Sequence, residues 1–106
     1  MAADPFGCTY PRVCFYLRSA DWAAREPTAA YQVRTQDFQM LGPRARHAYA
    51  VRNSRRDDAA LLLLPGKTED GWDRTVCVGP RSTKILGNGK VLGVLIVDEA
   101  RCDRVR

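Results

Sequence analysis

The stretch Arg46–Asn53 (RHAYAVRN), the polar run Ser54–Asp58 (SRRDD) and the unbroken apolar Ala59–Leu64 (AALLLL) decide the fold class. In the first, His47, Tyr49 and Val51 alternate with Ala48, Ala50 and Arg52, the period of two that lays one face of a strand on a core. Ala59–Leu64 has no alternation and, at six residues, is short for a helix, so it reads as a central sandwich strand covered on both faces. Asn53–Asp58 between them is a polar turn.

Toward the N-terminus, Val13, Phe15 and Leu17 alternate with Cys14, Tyr16 and Arg18, predicting another half-buried strand. Residues 19–27 read as a loop in which Asp21–Arg25 can form one helical turn. Thr28–Arg34 alternates again, with Ala29, Tyr31 and Val33 on one face. Phe38, Met40 and Leu41 form a short apolar patch, a surface segment or brief strand, before the breaker pair Gly42-Pro43.

Toward the C-terminus, Pro65-Gly66 is read as the end of the leucine run, and Lys67–Asp73 as a long exposed loop carrying Trp72. Thr75–Val78 is a strand halted at Gly79-Pro80. Ile85–Val91 contains Asn88-Gly89, a pair suited to the positive φ angles of a type I′ hairpin turn. Val91–Val97 follows as a buried strand in which Gly93 is a candidate bulge. Short strands separated by turn residues at this spacing predict an all-β sandwich or barrel, and no internal repeat is evident.

A chain of 106 residues, 45% hydrophobic and 27% charged, has enough surface to bury for one core. Residues 1–106 are therefore read as a single domain with residues 1–7 as a flexible lead. No apolar run approaches the roughly 20 residues of a membrane-spanning helix. Met1–Gly7 lacks the charged and apolar regions of a signal peptide, so the expectation is a mature secreted sequence with an added initiator Met1.

Cys8, Cys14, Cys77 and Cys102 make an even count in a short chain, the pattern of two disulfides in an oxidising compartment. A zinc site is disfavoured, because no pair has knuckle spacing and His47 is the sole histidine. Three pairings are open. Cys8 with Cys14 and Cys77 with Cys102 is favoured because each closes a local loop, stabilising by roughly 2 and 3.5 kcal/mol in the chain-entropy model.

The net charge of +5 comes from fourteen arginines and three lysines against twelve acids. Arg44, Arg46, Arg52, Arg55 and Arg56 fall within thirteen residues. Such a cluster suits an anionic cell surface or glycan, an acidic partner or nucleic acid, the last being disfavoured; a solvated strand edge and turn is the plain alternative.

Catalytic patterns are missing. His47 is the only histidine available as a general base, and its place on a strand face favours a partly buried, satisfied histidine. Asp57-Asp58 and Glu69-Asp70 read as solvated turn acids rather than paired catalytic carboxylates. Gly87-Asn88-Gly89 precedes a strand, not the helix of a phosphate-binding loop. The chain is read as a non-enzyme with no cofactor and no metal. Trp22 and Trp72 fall in predicted loops, either as lids over a small core or as contact residues.

The segment Cys8–Tyr16 (CTYPRVCFY), followed by Asp21-Trp22, resembles the opening of the secreted bacterial peptidase-inhibitor family with a βγ-crystallin-like fold, the streptomycete metalloproteinase inhibitor type. Ala48–Asn53 (AYAVRN) is similar to a strand of that family that often reads Ser-Val-Arg-Asn. The resemblance implies a Greek-key β-sandwich and inhibition of an extracellular peptidase through an exposed, rigid loop. A crystallin-type calcium motif would need acidic or amide residues where this chain has Arg44–Ala48 (RARHA), so no calcium is expected there. Candidate loops are Gly42–Arg46, Asn53–Asp58 and Pro65–Trp72, with Trp22, Arg44, Arg46, Arg55, Arg56, Lys67 and Trp72 as candidate binding residues. A basic cell-surface, glycan-binding or antimicrobial module is the alternative.

Overall fold

The computed structural model describes residues 6–33, 36–42 and 47–102, with Asn88 described by its backbone alone. Arg34, Pro43, Arg44 and Arg46 lie outside the described residues, as do residues 1–5 of the expected lead.

Among the described residues, eight strands and one short helix follow in the order β1 Val13–Tyr16, α1 Ser19–Ala24, β2 Ala29–Tyr31, β3 Gln39–Met40, β4 His47–Asn53, β5 Ala59–Lys67, β6 Asp73–Val78, β7 Ser82–Lys90 and β8 Gly93–Val97. They form two four-stranded sheets, ordered β2-β1-β4-β7 and β3-β8-β5-β6. Among the described residues every strand pairing is antiparallel. The chain is all-β, as its strand periodicity predicts.

The two sheets have the same plan. Counting β5 as a second β1, β6 as a second β2 and β8 as a second β4 turns one order into the other, and the third strand of each half joins the opposite sheet. No residue repeat announces this, because what is duplicated is connectivity.

The main core lies between the sheets. Val13, Phe15, Ala48 and Val51 from one meet Ala60, Leu62, Val78, Val94 and Ile96 from the other, with Leu41 and Val91 completing it. At about 25 cal/mol per Å² of apolar surface removed from water, this layer is the main favourable contribution to folding.

A second cluster of Cys8, Cys14, Tyr16 and Ala50 covers the outer face of the first sheet, with Trp22 and Tyr49 packed against it. All four residues of β1 are consequently buried, a correction to the half-solvated strand expected from alternation. Phe6 joins this packing, its ring stacked on Trp22 at 5.0 Å and 9°.

Helix α1 exists because its first turn is held locally. The Asp21 carboxylate accepts from the Arg18 N–H at 3.2 Å and from the Thr28 hydroxyl at 3.4 Å. The helix ends in a Schellman pattern, with Glu26 N donating to Asp21 O at 3.0 Å and Arg25 N to Trp22 O at 3.1 Å. Arg25 takes the left-handed conformation (φ 60°) usual for glycine there. Gly7, itself at φ 75°, seats against the Arg25 carbonyl so closely that a Cβ would stand 2.0 Å from its oxygen.

Both favoured disulfides are present, Cys8–Cys14 and Cys77–Cys102, and they leave no free cysteine. The first lies beneath Trp22 and Tyr16. The second ties edge strand β6 to the chain beyond β8.

Three local expectations are corrected. Asn88-Gly89 makes no hairpin: β7 runs through it to Lys90 while paired with β4, Ala50 facing Ile85 and Ala48 facing Gly89. Four steps of β7 thus oppose two of β4, and the glycine-rich stretch is absorbed as a bulge, with the positive φ at Gly87. A hairpin here would pair β7 with β8, which belong to different sheets. Pro65-Gly66 does not end β5, which continues to Lys67 across a register shift after Leu64. Gly93 lies in regular register between Leu63 and Met40; it is tight because a Cβ would meet Gln39 O at 3.1 Å and Phe38 Cβ at 3.3 Å.

Candidate functional site

The longest continuous run of exposed residues in the described chain is Pro65–Thr75, the outer half of the β5–β6 hairpin. Its base is fixed by the central position of β5 and by Cys77 in the second disulfide. Past Leu64 opposite Arg74, the Pro65-Gly66 bulge intervenes before the pairing resumes at Lys67 and Asp73, whose side chains form an ion pair.

The turn is closed by its own groups. Gly71 N donates to Thr68 O at 3.0 Å, and Thr68 N donates to Trp72 O at 2.8 Å. Trp72 N donates to the Thr68 hydroxyl at 3.2 Å. Gly71 has φ 85°, the left-handed conformation this corner requires. Glu69 and Asp70 therefore occupy the solvated corner, and the Trp72 side chain is left 73% exposed. Asp70-Gly71 thus belongs to a tight turn in a segment that reads from sequence only as a loop.

The arginine-rich loop is different. Arg55 and Asp58 form an ion pair at 2.6 Å with side chains only 11% and 9% exposed. Arg55 also donates to Pro11 O at 2.9 Å and Gln32 O at 3.0 Å. Asn53, fully buried, donates to Asp58 O and Val78 O at 2.9 and 3.1 Å and accepts from Arg55 N at 3.0 Å. Ser54 Oγ donates to Arg12 O at 2.6 Å. These bonds join both sheets across one end of the sandwich.

Arg55 is thus a structural residue, and Asp58 is a buried partner rather than the solvated acid expected; Asp57 is exposed. Arg56 is exposed, its guanidinium 4.9 Å from the Tyr10 ring centroid. Arg52 is buried, its guanidinium over Phe6 at 4.5 Å.

The two tryptophans separate as well. Trp22 is on α1 rather than in a loop and is half-buried, edge-on to Tyr16 at 4.9 Å with Arg25 over its outer ring at 5.0 Å. It is a lid. Trp72 is covered by no described residue of the core clusters.

His47 starts β4 opposite Lys90 and is exposed, not partly buried. The register shift next to it turns Ala48 and Val51 into the core and Tyr49 to the outer cluster, so the simple two-face reading of this strand fails. An open cleft lined by Leu17, Arg18, Asp21, Glu26, Pro27 and Thr28 contains two carboxylates, of which Asp21 already holds the start of α1. Among the described residues, no three His, Cys, Asp or Glu side chains converge as metal ligands would.

Of the candidate residues, the structure brings Lys67 and Trp72 together on one turn and places Arg56 separately, on the Asn53–Asp58 loop. Comparison with known protein families, with curated proteins and with solved structures finds no match.

Proposed function

We propose that this chain is a secreted interaction module that inhibits a peptidase through the Lys67–Asp73 hairpin. The observation that carries the reading is the combination at Trp72 of a large, 73% exposed aromatic ring and a backbone already fixed by hydrogen bonds on both its N–H and its carbonyl. A tip held in one shape loses little conformational entropy on binding, so more of the contact energy appears as affinity. Tryptophan is also among the side chains that most often dominate an interface.

The strand order, with the third strand of each half exchanged between sheets, supports the finer assignment to a crystallin-like Greek-key sandwich. Two disulfides in a chain of 106 residues support secretion. A thiol titration of the denatured protein should find no free thiol; four would contradict the compartment assignment. The function is tested by titrating the protein into a panel of purified extracellular serine, cysteine and metallo-peptidases. Tight stoichiometric inhibition of at least one is expected, and inactivity across the panel would remove the reading.

A further inference from the structure

Resting on the inhibitor reading, we infer the kind of site the hairpin fits: an apolar, aromatic-accepting pocket with a basic rim, which it plugs without presenting a bond for cleavage. Three features of the tip lead there.

The first is charge. Lys67–Asp73 holds one lysine against three acids, −2 in all, which leaves +7 on the rest of a chain whose formal net charge is +5. Lys67 is engaged with Asp73, so the free charges at the corner are those of Glu69 and Asp70. The stem of the next cation, Arg74, lies along Gly66, below the turn. The contact tip is thus acidic on a basic protein, the reverse of what the arginine count suggests. A pocket rimmed by lysine or arginine would be attracted to the tip, whereas an acidic surface would be drawn to the body and repelled by the tip.

The second is the Trp72 ring, which stands next to those acids and needs a pocket of its own size to leave water. Burying such a ring is among the larger single contributions available to an interface.

The third is the backbone. Peptidases take substrates as extended strands and act on a carbonyl free to accept from the enzyme. Here the Trp72 carbonyl already accepts from Thr68 N at 2.8 Å, and Gly71, at φ 85°, is not extended. The Trp72–Asp73 bond is therefore turned into the hairpin. The inhibitor should block by occupancy and remain intact.

The test uses the peptidase inhibited most strongly in the panel above. Glu69→Lys/Asp70→Lys should weaken inhibition at least about tenfold, mostly through a slower on-rate, and reverse the salt dependence of association. The protein carrying 5-fluorotryptophan should show one resonance shifted on binding, the one missing from Trp72→Phe, while the Trp22 resonance stays in place. Mass spectrometry after prolonged incubation with excess enzyme should find the chain uncut. Inhibition unchanged by the charge reversal, an unshifted Trp72 resonance, or cleavage after Trp72 would overturn this inference and leave the inhibitor reading standing. Absence of any inhibited peptidase would instead remove the reading on which it rests.

Discussion

The Asn53–Asp58 loop and the Lys67–Asp73 hairpin look alike as strings: short, polar and flanked by apolar strands. In the fold they are opposites. The first spends its polar groups internally, with Arg55 bonded to Asp58, Pro11 and Gln32, and Asn53 bridging to Val78 of the other sheet. The second satisfies only its own backbone and leaves Glu69, Asp70 and Trp72 to solvent. An arginine cluster in a sequence therefore says little about a contact surface until its partners are known. A buried guanidinium stabilises the scaffold; an exposed ring on a fixed turn is available to another molecule.

The contrast can be broken first at Arg55. Arg55→Ala leaves the Asp58 carboxylate buried without its partner and two carbonyls without a donor, and should cost about 3 kcal/mol in urea-induced unfolding. A loss below about 1 kcal/mol would mean that the loop is as dispensable as the hairpin. Asn53→Ala removes three hydrogen bonds from a fully buried side chain. About 2 kcal/mol should be lost, measured in the same way.

The hairpin side should respond weakly. Lys67→Ala breaks an ion pair whose members are 64% and 56% exposed, and stability should stay within about 0.5 kcal/mol of the parent. Trp72→Ala should change it least of all, since the ring packs on neither core cluster; a thermal melt that shifts by more than a few degrees would place the ring in the fold rather than outside it.

Which parts were legible in the sequence follows from how local their causes are. Alternation in Val13–Tyr16 and His47–Asn53 and the apolar density of Ala59–Leu64 mark strands whatever their neighbours, and the two disulfides close short enough loops to be paired by proximity. Tertiary context decided the rest. Asn88-Gly89 has hairpin chemistry, but the strands on either side of it pair in different sheets, with β4 and with β5, so the stretch became a bulge; Asp70-Gly71 lies between strands that pair with each other, and there Gly71 closes the turn. The outer cluster around Cys14 and Tyr16 was invisible for a similar reason, since its cover comes from Phe6 and from α1, a helix of six residues held by one aspartate. For the site, Lys67–Asp73 reads as an exposed loop in the sequence, but its separation from the arginine loop rests on the hydrogen bonds.

The most direct measurement sets the two loops against each other on one peptidase inhibited by the parent protein: the inhibition constants of Trp72→Ala and Arg56→Ala, both exposed residues in the folded chain. Trp72→Ala should weaken inhibition by about 30-fold, the scale of an interface anchor, and Arg56→Ala by no more than about twofold. The reverse order, with Arg56 dominant and Trp72 silent, would contradict the account and move the contact surface to the arginine loop.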